Sequence, residues 1–243
     1  MQTAKDNEYI IQDFYMAFRD RCKEVKKFVD FVSLLAGGNY EYVASVDVKK
    51  SVVNPLMPIE RDLEKTLRSS GLLLLYNLVE ATMSNAIDGI HRAVVSEGLS
   101  YHELTDNMRK ITAAHFRRAV NGNVEILLDE NDHPIKHAMV YVGYDKTSLF
   151  SGNIDCRAIR IEAKKYGFKS PDPNAKNRGI GHTLFEIRDK RNALAHGRSS
   201  FEECGQDISP DALPVMAHQT MVYLRAILWS ISYFIRHSQY KAA

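Results

Sequence analysis

The chain has 243 residues, 45% of them apolar and 26% charged, with 32 basic and 30 acidic side chains giving a net charge of +2. That balance is ordinary for a globular protein and excludes a disordered, collagen-like or membrane-dominated chain. Cys22, Cys156 and Cys204 are too scattered for a disulfide framework or a zinc site and fit reduced thiols in a cytoplasmic setting. Residues 1–9 are polar, without a signal-peptide core, and the most apolar run, Leu72–Ile90, is broken by Asn77, Glu80, Ser84, Asn85 and Asp88. No run reaches the roughly 18 apolar residues of a membrane span.

The first predicted helix runs over Asn7–Leu35. Ile11, Phe14, Phe18, Val25, Phe28, Val32 and Leu35 form its apolar stripe, and Gly37-Gly38 stops it. A linker follows over Asn39–Met57, in which Val43, Val46 and Val48 predict a short extended piece. Pro58 then suits the first position of a second helix, reaching Glu97 before Gly98, with Gly71 and Gly89 as points of bending. Ser100 and Glu103 read as a capping box opening a third helix to Val120, ended by Asn121-Gly122.

Between 122 and 150 the pattern becomes irregular, with β-branched and aromatic clusters, an Asp129–Asp132 turn and Pro134, which suits an insertion with a short hairpin. Helical periodicity returns over Asp155–Tyr166, closed by Gly167. After a Pro- and Gly-containing loop it resumes over His182–Ala195, with Gly197 as a left-handed cap. Pro210 opens a last helix whose stripe holds Val215, Val222, Leu224, Ile227, Leu228, Ile231 and Phe234, with Pro214 in its first turn. The expected fold is all-α, a helical bundle in a single domain over 1–243. It divides into an N-terminal helix and linker (1–57), long core helices (58–120), the insertion (121–154), and the segment carrying the 182–195 helix and the last helix (155–243).

The chemistry-bearing segment is Arg188-Asp-Lys-Arg191-Asn192-Ala-Leu-Ala-His196-Gly197. A helix advances about 100° per residue, so Leu184, Ile187, Arg191 and Leu194 share one stripe, and Arg191 fills a slot where an apolar residue belongs. Asn192 and His196 stack on the adjoining face. A guanidinium that grips phosphate, an imidazole that moves protons near neutrality and an orienting amide suit RNA phosphodiester chemistry, because RNA brings its own 2′-hydroxyl nucleophile. The plainer alternatives are an Arg that snorkels and a His placed on a helix C-terminus. No Gly-rich phosphate loop, nucleophile elbow or His-Glu-x-x-His is present, and His115, His133, His137 and His182 have no metal-ligand spacing, so neither a metal nor another cofactor is expected.

From Asp155 to Arg198 there are eleven basic and five acidic residues, an excess of +6. Arg157, Arg160 and Lys164 fall roughly on one helical face. With Arg188, Lys190 and Arg198 they are the expected phosphate contacts, against the plainer reading of a solvated face. Glu80 sits on the face of Leu73, Tyr76, Met83 and Ile87. It is expected either to pair with Arg191 and aim it, or to reach solvent or pair with another base.

Arg191-Asn192 followed by His196 resembles the Arg-polar-x3-His signature of HEPN domains. Leu72–Glu80, Ser151–Arg160 with Tyr166-Gly167, and Arg191–Gly197 together resemble the MAE-like HEPN nucleases. The resemblance implies a HEPN-type bundle that dimerises with signature helices facing across a composite cleft. It implies metal-independent RNA cleavage in a toxin or anti-phage defence setting, with an antitoxin or defence-system protein as partner. Arg191, Asn192 and His196 would be the catalytic residues, Arg191 neutralising phosphorane charge, His196 serving as base or acid, and Asn192 orienting His196 or adding a donor. The other classes open to the sequence are a non-catalytic HEPN-like module that binds RNA, a nucleotide or a protein, and a purely structural helical adaptor.

Overall fold

The computed structural model describes residues 2–36, 40–47, 49–50, 52–120, 140, 144, 149–150, 152–173 and 179–242. Among the described residues the α-helices are α1 (Gln2–Ala36), α2 (Arg61–Ser96), α3 (Asp106–Val120), α4 (Cys156–Tyr166), α5 (Ile180–Ala195), α6 (Phe201–Gln206) and α7 (Ala212–Arg236). The chain is mainly helical, as its periodicity requires. The described β structure is one antiparallel hairpin of β1 (Tyr42–Asp47) and β2 (Val52–Pro58), with a register shift between Val43 and Ala44. Most of 122–150, with His133 and His137, lies outside the described residues, as do Gly37, Gly38 and Val48.

The centre of the bundle is α2. Leu72, Leu75, Tyr76, Leu78, Val79, Met83, Ala86, Ile87 and Ile90 are all buried. A helix apolar on nearly every side has to be enclosed, and α1, α5, α6 and α7 pack around it. Each fully buried side chain of Leu or Ile size contributes about 1.5–3 kcal/mol. Gly71 and Gly89 are points of close contact: a Cβ at Gly71 would stand 2.7 Å from Leu213 of α7, and one at Gly89 3.1 Å from Phe14 of α1. The short helix α6 comes closer still, since a Cβ on Gly205 would lie 1.9 Å from the Lys65 carbonyl oxygen.

Several boundaries differ from the sequence expectation. Pro58 ends β2 opposite Tyr42 instead of starting α2, which begins after Glu60. Proline tolerates the end of a strand as well as the start of a helix. The linker therefore holds two strands where one extended piece was expected, and it is wet on both sides, with Val46 60% and Leu56 67% exposed. The Ser100–Glu103 capping box forms, but it closes a single 3-10 turn, and α3 starts beyond it at Asp106. A further helix, α6, lies outside the expected elements, and Ser200 and Glu203 open it with the same box. On α7 the inward stripe is Leu213, Met216, Leu224, Ile227, Leu228, Ile231 and Phe234, while Val215 points outward.

Two ties fix α4. His91 Nε2 and the Tyr166 hydroxyl lie 2.8 Å apart in the interior, joining α2 to the end of α4. Burial, reinforced by nearby His115, pushes His91 down to about 3, so the ring stays neutral. At the other end Asp155 is the N-cap of α4, accepting from Ala158 N–H at 2.8 Å, and its second oxygen pairs with Arg188 of α5. Asp155 is buried, so this one carboxylate locks two helices at the end where the site forms.

Candidate functional site

The signature segment forms the last two turns of α5. Leu184 and Ile187 are buried, and the stripe then leaves the core: Arg191 and Leu194 are half-buried and His196 is exposed. The helix stops because Gly197 adopts φ +64, which lets Arg198 N–H reach the Ala193 carbonyl at 2.8 Å and Gly197 N–H the Leu194 carbonyl at 3.2 Å. His196 is the C-cap, its backbone N–H bonded to the Asn192 carbonyl at 3.1 Å. Among the described residues its imidazole has no hydrogen-bond partner. Asn192 is thus tied to His196 through backbone, while its side chain meets Arg191 and Asn153.

Arg191 is held on several sides. Its Cζ lies 4.6 Å from the centre of the Tyr76 ring, a cation–π contact to the buried face of α2. Nη1 donates to the Gly152 carbonyl at 3.3 Å and to Asn192 Oδ1 at 3.0 Å. Gly152 has φ +74, and a Cβ there would lie 3.1 Å from Nη1 and 3.3 Å from Nη2. The position therefore needs glycine for its backbone and for the space beside the guanidinium. Nε and Nη2 make no hydrogen bond among the described residues. That side of the guanidinium offers two parallel donors.

The turn 152–155 organises this arrangement one residue at a time. Gly152 accepts Arg191. Asn153 Oδ1 accepts Asn192 Nδ2 at 2.8 Å. Ile154 N–H reaches the Tyr76 hydroxyl at 3.4 Å, and Asp155 pairs with Arg188. Burial pushes the Tyr76 hydroxyl up and the charge of Glu80 adds to this, while the Ile154 N–H, Arg191 and Arg188 oppose it. The sequence reading assigned no role to Gly152, Asn153 or Tyr76. The turn-forming Gly-Asn pair ahead of an N-capping Asp was the available signal.

Glu80 and the basic residues divide between the alternatives open to them. Glu80 does not pair with Arg191 among the described residues; it is half-buried and reaches solvent, so it needs no buried partner, and the Tyr76 ring takes the guanidinium instead. The phosphate contacts also divide. Arg188 is engaged by Asp155 and lies 4.7 Å from the Phe185 ring, and Lys190 is paired with Asp207, which holds its ammonium above the usual lysine range. Arg157, Arg160, Lys164 and Arg198 are exposed and have no acidic partner among the described residues. Arg157, Arg160 and Lys164 line one shallow cleft of about 440 Å³ on α4, shared with Phe168 and Ser170.

The remaining nucleophile candidates are unsuited. Burial pushes Cys22 and Cys156 up to about 11 and Cys204 upward, so all three remain thiols. Among the described residues no three His, Cys, Asp or Glu side chains converge as metal ligands, and no helix is long and apolar enough to cross a membrane.

A helical bundle that presents Arg-Asn-x3-His at the exposed end of a helix defines the HEPN class. The chain matches the MAE_28990-like HEPN family over residues 12–240 and belongs to that family. A curated relative, the large ribosomal subunit protein uL6 of Methylacidiphilum infernorum (isolate V4), is 29% identical over 138 residues, covering 54% of this chain and 76% of that protein. No solved structure matches the chain.

Proposed function

We propose that the chain is an endoribonuclease that cuts RNA through its own 2′-hydroxyl, working as a dimer in a toxin or anti-phage defence setting. The observation that carries this reading is the Arg191 guanidinium. It is fixed by Tyr76, Gly152 and Asn192 with its Nε and Nη2 donors open, and it stands within two helical turns of the exposed His196.

In this reading the open donors bind the scissile phosphate. The 2′-oxygen attacks phosphorus while an imidazole accepts its proton. The bond to the 5′-oxygen breaks as an acid donates a proton to that oxygen, leaving a 2′,3′-cyclic phosphate. Arg191 neutralises the charge that grows on the equatorial oxygens, where a preorganised donor is most effective. One His196 supplies the base and the His196 of a second copy the acid, so the composite cleft accounts for two proton transfers with one histidine per chain. Phe185, 50% exposed on α5, adds apolar surface for that second copy to cover. The scheme routes no step through a metal ion, so cleavage is expected to persist in excess EDTA. The cleft of Arg157, Arg160 and Lys164 receives the phosphates that flank the cut.

The test compares three substrates and one variant. RNA is cleaved, whereas DNA and RNA with a 2′-O-methyl group at the cut position bind and resist. His196→Ala binds RNA and does not turn it over. Equal cleavage of DNA, or full turnover by His196→Ala, overturns the reading.

A further inference from the structure

We propose that Asn153 is the positioning residue that sets the angle of the Arg191 guanidinium, acting through the Asn192 amide. This rests on the ribonuclease reading for its kinetic consequence, but its geometric content stands apart from it.

The three side chains form a hydrogen-bond chain with one permitted direction. Arg191 can only donate, so the Asn192 atom facing its Nη1 at 3.0 Å must be the carbonyl oxygen. That choice turns the Asn192 NH2 the other way, where Asn153 Oδ1 accepts it at 2.8 Å. Reversing Asn192 would set donor against donor at Arg191 and acceptor against acceptor at Asn153. The permanent charge of Arg191 therefore orders both amides, and Asn153 in turn holds Asn192 in the one rotamer that can receive Arg191.

The remaining contacts of the guanidinium do not fix its angle. The Tyr76 ring lies 4.6 Å from Cζ and restrains height above the ring but not rotation parallel to it. The Gly152 carbonyl accepts at a longer 3.3 Å. Asn192 adds the lateral restraint, and without Asn153 its amide is free to turn to water. The angle matters because Nε and Nη2 are the donors left for phosphate, and a planar fork binds a phosphate well in one orientation only. Asn153 is well placed for this work: it is next to Gly152 and two residues before Asp155, whose bond to Arg188 pins the turn to α5. Asn153 is exposed and the Asn153–Asn192 bond lies at the surface, so its loss changes fold stability little.

The experiment uses the full chain with 15N-labelled arginines, the Arg191 signals being assigned by their loss in Arg191→Lys. In the wild type, hindered rotation about the Arg191 Cζ–Nε bond gives two resolved Nη signals. In Asn153→Ala they merge. In Asn153→Asp, which keeps an acceptor oxygen, they stay apart. In RNA cleavage Asn153→Ala lowers kcat about tenfold, the scale of one lost hydrogen bond in the transition state, with KM and the thermal midpoint unchanged. Asn153→Asp restores kcat. The proposal is overturned if the wild-type Nη signals are already merged, if Asn153→Ala leaves them resolved, or if kcat and the thermal midpoint fall together in Asn153→Ala. If the signals behave as expected while RNA is not cut by the wild type, the positioning stands and the ribonuclease reading fails.

Discussion

The two ends of the signature segment are built differently. Arg191 lies against a buried tyrosine, a glycine carbonyl and an amide, all supplied by its own chain. His196, five residues on, caps the helix in solvent, its ring without a hydrogen bond among the described residues. In the proposed reading the charge-stabilising half of the site is complete in one chain, and the proton-transfer half is open. A site divided this way is expected to gain its second half from the substrate and from another copy of the protein. Light scattering at micromolar concentration should then give about twice the 27.6 kDa chain mass. A strict monomer that still cleaves RNA would confine the whole site to one chain.

Mutations at the two ends should separate these halves. The largest effects are expected at the reacting groups. His196→Ala should lower turnover about 100-fold or more with RNA binding retained, the scale of a lost general acid–base. Arg191→Ala should do comparable damage through lost charge stabilisation. Arg191→Lys should not restore turnover, because an ammonium cannot bond Gly152 and Asn192 while presenting a fork to phosphate. Single-turnover kinetics on a defined RNA reads all three, and a fully active Arg191→Lys would show that a point charge suffices.

Next in size is Asp155→Ala, which removes a helix cap and the buried partner of Arg188 together. A loss of about 3 kcal/mol is expected in urea unfolding. An unchanged midpoint would mean that the α4–α5 lock carries no weight. Smaller again is the contrast between two glycines with similar backbones, Gly152 at φ +74 and Gly197 at φ +64. Alanine at either should cost about 1–2 kcal/mol for the left-handed conformation. Only at Gly152 does the added methyl meet the guanidinium, since nothing lies within 4 Å of a Cβ on Gly197. Turnover per folded molecule should therefore drop in Gly152→Ala beyond what its stability loss explains.

The smallest effect at neutral pH concerns a different histidine. His91 is neutral in the fold, its value lowered from 6.5 to about 3 by burial. The unfolded chain therefore takes up a proton that the folded chain refuses. Stability from this group is full above about 6.5 and falls as pH drops from there towards about 3. Unfolding midpoints across that range should decline in the wild type and decline less steeply in His91→Gln. Parallel curves would show that His91 is not held neutral.

Legibility from sequence followed the range of the interaction. The ends of α4 and α5 could be read because Asp155, Gly167 and Gly197 act locally on their own helices. The Arg191-Asn192-His196 spacing could be read for the same reason. Pro58 misled because proline suits two local states, and pairing with Tyr42 decided between them. Glu80 left a buried pair and solvent both open, and the packing of α2 leaves it half-buried and not paired with Arg191 among the described residues. The surroundings of Arg191 were hidden, since they bring together residues 76, 152 and 191, and no local pattern joins a tyrosine in one helix to a glycine in a distant turn.

In the proposed reaction the 2′-hydroxyl of RNA is the nucleophile, and the chain supplies a proton-transferring histidine and a fixed guanidinium. Mass spectrometry of the fragments from a defined RNA tests it directly. Attack by the 2′-hydroxyl leaves a 2′,3′-cyclic phosphate on the upstream fragment and a free 5′-hydroxyl on the downstream one. A 5′-phosphate on the downstream fragment would mean that water attacked instead, and would contradict the roles given to His196 and Arg191.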